Sequence, residues 1–101
     1  MNDIRKLEPK PLWNYFHDIT QIPRPSKKEK AIVEYMLEFG KKHNLETILD
    51  KAGNVIIRKS ATKGMENRQG VIFQTHLDMV PQKNSDKKHD FTKDPIETII
   101  D

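Results

Sequence analysis

The chain has 101 residues, enough for one small domain, and no cysteine, which excludes a disulfide framework and a thiolate metal site. Lysine and arginine number 18 against 15 aspartate and glutamate, a net charge of +3, and the two signs are mixed along the chain. A nucleic-acid-binding domain more often clusters its basic residues on one face, so we expect no nucleic-acid partner. No apolar run has membrane-spanning or signal-peptide character, so we expect a cytoplasmic protein with no membrane partner.

Helical spacing predicts a first helix over residues 11–20. Pro11 suits a first helical turn, and apolar residues then recur on one face: Leu12, Tyr15, Phe16 and Ile19. The prolines of the segment 22–25 end this helix, because proline lacks an amide donor and restricts the residue before it.

A second helix is predicted over residues 27–42. The stretch Ser26-Lys27-Lys28-Glu29 has the pattern of a capping box, in which the serine caps the helix and the glutamate reaches back. Apolar positions continue at helical spacing, and the region from Gly40 to Asn44 supplies the stop.

The periodicity then changes to that of strands. Residues 46–50 and 54–59 predict a hairpin around Gly53. Residues 71–75 predict a third strand, apolar enough to be buried on both faces, and residues 96–100 begin another strand pattern. A long polar loop precedes that last pattern, a length that is uncommon unless functional. Because the chain stops within a strand pattern, we expect it to be the front of a longer protein.

His76 and Asp78 stand at the end of the predicted third strand. Residues two apart on a strand share a face, and α/β folds place ligands beyond the carboxyl ends of buried strands. A neutral imidazole there can bind a metal while a carboxylate fixes its tautomer. His-x-Asp is also short and common, and many such pairs are simple surface hydrogen bonds. His89, in the polar loop, is another histidine that can reach a substrate, although an ordinary loop position is the simpler interpretation.

Longer motifs give the sequence a resemblance. Six segments carry it: Pro11-Leu12-Trp13, Ile22-Pro23-Arg24-Pro25-Ser26, Gly53-Asn54-Val55, Gly64-Met65-Glu66-Asn67, the stretch from Gln74 to Lys83 and the stretch from His89 to Pro95. Together they resemble the opening of the bacterial aminoacyl-histidine dipeptidases, which are cytosolic di-zinc metallopeptidases related to carnosinases, peptidase T and aminoacylases.

The resemblance implies a fold and a site. The fold is the N-terminal portion of a zinc-peptidase-like three-layer α/β/α catalytic domain, here two helices and a mixed partial sheet. Residues 1–101 would be an incomplete segment of that domain, without the dimerisation domain and the remainder. His76 matches the family's first metal-ligating histidine, and Asp78 matches the active-site aspartate that orients it. The other ligands and the general base would lie beyond residue 101.

The resemblance also implies a reaction. The whole protein would hydrolyse dipeptides of the aminoacyl-histidine type as a homodimer, using two divalent metal ions: zinc, with cobalt or manganese as alternatives. A catalytic zinc needs about three protein ligands, so we expect residues 1–101 alone to be inactive and to self-associate through exposed strand edges. The alternative is a non-catalytic α/β binding or interaction module.

Overall fold

The computed structural model describes residues 2–101, which form two helices and a hairpin. A short 3₁₀ helix, Ile4–Lys6, precedes helix α1, Lys10–Thr20, and helix α2, Lys30–Lys42. Strands β1, Glu46–Leu49, and β2, Val55–Arg58, follow. Two compact units are present: one combines the described residues up to Ile32 with Asp78–Asp101, and the other is Val33–Leu77.

No helix within residues 2–101 combines the length and the apolar character that crossing a membrane requires.

Helix α1 confirms the predicted first helix to within one residue. A proline occupies its first turn, where a missing amide hydrogen costs nothing. Its last residue, Thr20, is buried, and the Thr20 hydroxyl donates to the carbonyl of His17 at 2.6 Å. The same carbonyl also accepts from the Gln21 amide at 3.3 Å, so the Thr20 hydroxyl adds a second donor at the end of the helix.

Helix α2 begins three residues later than predicted, and the capping box does not form. Lys27 has a positive φ of 73°, so the chain still turns at that point, with the Lys28 amide donating to the carbonyl of Pro25 at 2.9 Å. A positive φ at the third residue of a turn is the signature of type II, where glycine or asparagine is usual. The Glu29 carboxylate accepts from the Lys27 amide at 2.7 Å, and Ser26 is engaged elsewhere.

The end of α2 confirms the predicted stop between Gly40 and Asn44. Asn44 adopts the left-handed conformation, with φ of 56°. The Leu45 amide donates to the carbonyl of Gly40 at 2.9 Å, and the Asn44 amide to that of Lys41 at 3.0 Å. These two bonds define a Schellman motif, which explains why an asparagine stands at this position.

Strands β1 and β2 confirm the predicted hairpin. They pair antiparallel, with Ile48 opposite Ile56. Asp50 organises the turn, because its carboxylate accepts from the amide and the side chain of Asn54 at 2.8 and 2.9 Å. The Asn54 side chain, followed by its amide, lowers the pKa of Asp50. Gly53, at φ of 90°, supplies the conformation that the turn needs.

The predicted third and fourth strands are wrong for the described residues. Residues 71–75 and 96–100 belong to no strand, and Ile72 and Phe73 are 93% and 96% exposed. A strand buried on both faces needs hydrogen-bonded strands beside it and packed layers over its faces, and residues 2–101 supply no strand partner at this position. The predicted mixed sheet is therefore reduced to the antiparallel hairpin and one parallel bridge, between Pro25 and Met79.

The buried core of the described residues is small and lies in the first unit. Ile4 and Ile32 are the buried apolar side chains, at 3% and 2% exposure, and the polar Thr20 is buried at 3%. Several large apolar side chains of α1 are exposed to solvent, among them Leu12 at 56% exposure. So few buried apolar groups indicate a small contribution of the hydrophobic effect to folding.

Gly40 is a position where α2 cannot accept a side chain. An ideal Cβ built there would lie 1.9 Å from Oγ1 of Thr47, on strand β1. We expect Gly40→Ala to lower the free energy of unfolding by about 1–3 kcal/mol, the usual cost of overpacking. This outcome is opposite in sign to the gain of about 1 kcal/mol that helix propensity alone predicts.

Chemical denaturation of the whole protein measures this effect. Gly70→Ala is the matched control, because a Cβ at Gly70 meets nothing within 4 Å. The Gly40→Ala penalty should also shrink in a Thr47→Ala background, which removes the clashing oxygen. A stabilising Gly40→Ala would show that α2 and β1 separate easily at this point.

Candidate active site

The candidate site begins with a parallel bridge that joins two distant segments of the first unit. The Met79 amide donates to the carbonyl of Arg24 at 2.9 Å, and the Ser26 amide donates to the carbonyl of Met79 at 3.2 Å. Pro25 is tolerated in the bridge because the hydrogen bonds use the groups of its neighbours rather than its own nitrogen. The bridge places Asp78 beside Ser26.

Asp78 is half-buried and accepts a hydrogen bond from a serine 52 positions earlier in the chain. The Ser26 hydroxyl donates to Oδ2 of Asp78 at 2.5 Å. A hydroxyl bound to a carboxylate at this distance is a charge-assisted hydrogen bond, about twice as strong as a neutral one. The contact fixes one end of the predicted His-x-Asp motif to the turn that precedes α2.

Arg24 links the bridge to α1. Its guanidinium donates to the carbonyl of Ile19, in the last turn of that helix. Burial lowers the pKa of Arg24, since a charged group loses hydration there. The Ile96 amide donates to the carbonyl of Thr20 at 2.9 Å, so the end of α1 also holds the C-terminal segment.

A small concavity lies beside the bridge, within the first unit. Its volume is about 60 Å³, well below the roughly 300–1,000 Å³ of small-molecule pockets. The wall combines apolar residues with Arg24, His89 and Asp94. Residues 2–32 and 78–101 therefore form a surface depression here, without the volume to enclose a dipeptide.

His89 lies in the wall of this concavity. Its ring packs edge-on against Phe91, with 5.0 Å between ring centroids, and the side chain is half-buried. The following turn is ordered by Asp90, whose carboxylate accepts from the hydroxyl and amide of Thr92 at 2.6 and 2.9 Å. The side chain and then the amide of Thr92 lower the pKa of Asp90. The aromatic contact favours a packing role for His89.

His76 is an exposed residue in the last part of the second unit. Only Leu77 separates it from Asp78, so the two Cα atoms are at most about 7 Å apart by chain geometry alone. Imidazole and carboxylate are donor types that zinc accepts. Residues 2–101 contain no group of three or more histidine, aspartate or glutamate side chains placed to hold a metal ion. Residues 2–101 thus offer imidazole and carboxylate groups that zinc accepts, but they bring together too few of them to hold a catalytic zinc.

Sequence reasoning missed the partner of Asp78. The pattern around Ser26 predicted a helix cap, and the structure assigns its hydroxyl to a tertiary contact instead. A motif of neighbouring residues predicts local structure only. Ser26 and Asp78 are far apart in the chain and meet only in the folded protein, so the motif could not predict their contact. The alternating prolines before Ser26, which exclude a helix, were the available signal that this segment is not a simple helix start.

No protein-family model matches this chain, but comparisons with known proteins find relatives over almost its whole length. The cytosol non-specific dipeptidase of Escherichia coli (strain K12) is 50% identical over 101 residues, which are 100% of this chain and 21% of that protein. The crystal structure of aminoacylhistidine dipeptidase from Vibrio alginolyticus matches with a TM-score of 0.91 and 50% identity, covering 97% of this chain and 20% of that one.

Both matched proteins are dipeptidases by name, so the class to which the chain is similar is a peptide-hydrolysing enzyme. The predicted resemblance to the aminoacyl-histidine dipeptidases is confirmed, and so is the α/β fold class. The chain spans about a fifth of the length of these relatives.

Proposed function

We propose that the whole protein of which this chain forms a part hydrolyses dipeptides, with aminoacyl-histidine dipeptides as the substrate class. The observation that supports this most is the 50% identity to two dipeptidases across nearly every residue of the chain. Identity at this level over a continuous 101 residues is stronger support than the short His-x-Asp motif alone.

We assign His76 as a metal ligand and Asp78 as the active-site carboxylate that orients it. A bound divalent ion, for which zinc is our first choice and cobalt or manganese the alternatives, would supply Lewis-acid activation of water and of the peptide carbonyl. Within this chain, His76 offers a neutral imidazole nitrogen. Asp78 would accept the hydrogen of the other ring nitrogen, which fixes the tautomer and raises the basicity of the ligand. Two ions are implied by the family resemblance, with the remaining ligands outside residues 1–101.

The test is an assay of the purified full-length protein on three peptides: an aminoacyl-histidine dipeptide, a dipeptide without histidine and a histidine tripeptide. We expect hydrolysis of the first, slower hydrolysis of the second and none of the third. Chelation should abolish the activity and added zinc should restore it. Hydrolysis that is unaffected by prolonged chelation would contradict the metal-dependent reaction, and absence of any dipeptide hydrolysis would contradict the proposal as a whole.

Zinc binding by residues 1–101 alone is a separate prediction. Because no group of three or more metal-binding side chains comes together within residues 2–101, we expect calorimetry to give no tighter binding than for a generic surface histidine. His76→Ala in the same peptide should therefore change the titration little. Tight, stoichiometric binding of zinc by monomeric residues 1–101 would show that the chain completes a site by itself.

The same resemblance supports a cytoplasmic homodimer. The Escherichia coli relative is a cytosol enzyme by name, and cysteine is absent from this chain, which fits a reducing compartment. Sedimentation of the full-length protein tests the oligomeric state. A monomer at working concentrations would contradict the dimer and leave the proposed reaction standing.

A further inference from the structure

The Ser26–Asp78 hydrogen bond gives Asp78 a fixed partner from a different part of the chain. We propose that Ser26 is a positioning residue for the active site: its hydroxyl holds the Asp78 carboxylate in the orientation that supports His76. This inference rests on the proposed function of Asp78 and adds to it a residue that acts through that carboxylate. The supporting observation is geometric, a 2.5 Å contact between Ser26 Oγ and Asp78 Oδ2.

The backbone makes this contact a constrained one. The parallel bridge ties the peptide of Met79, the residue after Asp78, to Arg24 and Ser26 through two hydrogen bonds. The side chains of Ser26 and Asp78 therefore leave backbone segments whose separation is already set. A short hydrogen bond between them then selects one side-chain rotamer of the carboxylate at little further cost in conformational entropy.

A carboxylate that accepts from Ser26 can also accept from an imidazole. Its two oxygens provide about four lone-pair sites, so one donor does not exhaust them. The terminal torsion of a carboxylate is broad and roughly two-fold, so each hydrogen bond to it narrows the orientations that it samples. A hydroxyl on one oxygen restricts that rotation. The consequence is a better-defined acceptor for His76 and, through it, a more basic metal ligand.

The turn that carries Ser26 has the strain expected of a functional position. Lys27 stands at φ of 73°, where glycine or asparagine is usual. A non-glycine residue adopts this conformation at a cost in free energy, and it persists where the surrounding structure over-determines it. The bridge at Pro25 and the hydrogen bond from Ser26 are two such determinants.

The experiment uses the full-length protein and compares Ser26→Ala with Ser26→Thr, which keeps the hydroxyl. Partners of metal ligands typically contribute ~10–100-fold to affinity or activity. We expect Ser26→Ala to lower kcat by about 10-fold with little change in KM, and to weaken zinc retention against a chelator by a similar factor. Ser26→Thr should recover most of both. Ser60→Ala, at an exposed serine in the other unit, is the matched control and should behave as wild type.

A double-mutant cycle with Asp78→Ala identifies the route by which Ser26 acts. If the hydroxyl acts through Asp78, Ser26→Ala should have no further effect on kcat once the carboxylate is gone. An equal loss in both backgrounds, or no loss in either, would overturn the inference. If Ser26→Ala does not fold, Ser26→Cys preserves the size with only a weak donor and should show the same loss of kcat at a near-native melting temperature.

The outcomes also separate this inference from the proposed function. Loss of activity in Asp78→Ala with an unaffected Ser26→Ala would leave the proposed function standing and reject the role of Ser26. Full activity in Asp78→Ala would reject the role of the carboxylate, and the role of Ser26 with it, whether or not the protein hydrolyses dipeptides.

Discussion

Replacing His76 by alanine in the full-length protein is expected to remove a bound metal and nearly all dipeptidase activity. Partners that merely support a ligand contribute ~10–100-fold, so loss of the ligand itself should exceed about 100-fold. Asp78→Asn preserves the size and removes the charge, and it should cost ~10–100-fold in activity or metal affinity. Both effects follow from the roles assigned to these residues: His76 as ligand and Asp78 as the carboxylate that orients the imidazole.

Metal content by atomic absorption and kcat/KM on an aminoacyl-histidine dipeptide are the two measurements. His43→Ala and Asp86→Asn are matched controls, because they change the same residue types at exposed positions that the proposed site does not use. Wild-type activity and metal content in Asp78→Asn would count decisively against its role. A His76→Ala protein that keeps its metal and its activity would remove His76 from the site.

Local elements were the predictable part of this fold. The periodicity of residues 11–20, the stop near Asn44 and the hairpin around Gly53 are each encoded by residues close together in the chain. Helix ends and tight turns use neighbouring backbone groups, so a single sequence carries enough information to place them. The start of α2 was placed wrongly because the serine of its apparent capping box has a distant partner.

Tertiary pairing was the unpredictable part. The strand expected at residues 71–75 depends on neighbouring strands, and its apolar sequence does not reveal whether residues 2–101 provide them. The Ser26–Asp78 contact and the Pro25–Met79 bridge depend on how two segments over 50 positions apart approach each other. The role assigned to Asp78 rests on its motif and its family resemblance, and it stays a prediction.

The apolar segment at residues 71–73 should make the isolated residues 1–101 associate or unfold easily. Val71, Ile72 and Phe73 are 75%, 93% and 96% exposed in the structure of this chain. These three residues favour the strand conformation, and among residues 2–101 they pair with no strand. An exposed segment of this kind can pair with another chain, as the uncovered edge of a β-sheet does. Burial of these side chains against a second copy removes apolar surface from water, which is the main driving force for association.

Stability of the isolated chain should be marginal for a related reason. Ile4 and Ile32 make up the buried hydrophobic core of residues 2–101, and a small domain already buries only about 60% of its unfolded surface. With so little apolar area removed from water, the hydrophobic gain exceeds the loss of conformational entropy by a small amount at most. A broad thermal transition at low temperature is the expected result for any monomeric population.

Sedimentation equilibrium of residues 1–101 and of the double variant Ile72→Lys/Phe73→Lys tests association directly. We expect concentration-dependent oligomers of the first, strengthened by sulfate, and a loss of association in the second, because charged side chains oppose apolar and edge-to-edge contact. Gln74→Lys is the matched control: it adds a charge to the same segment without removing an apolar side chain, so oligomers should persist. A strictly monomeric wild-type chain with a cooperative, high melting transition would contradict both expectations. It would also favour the alternative in which residues 1–101 form a self-sufficient, non-catalytic binding module.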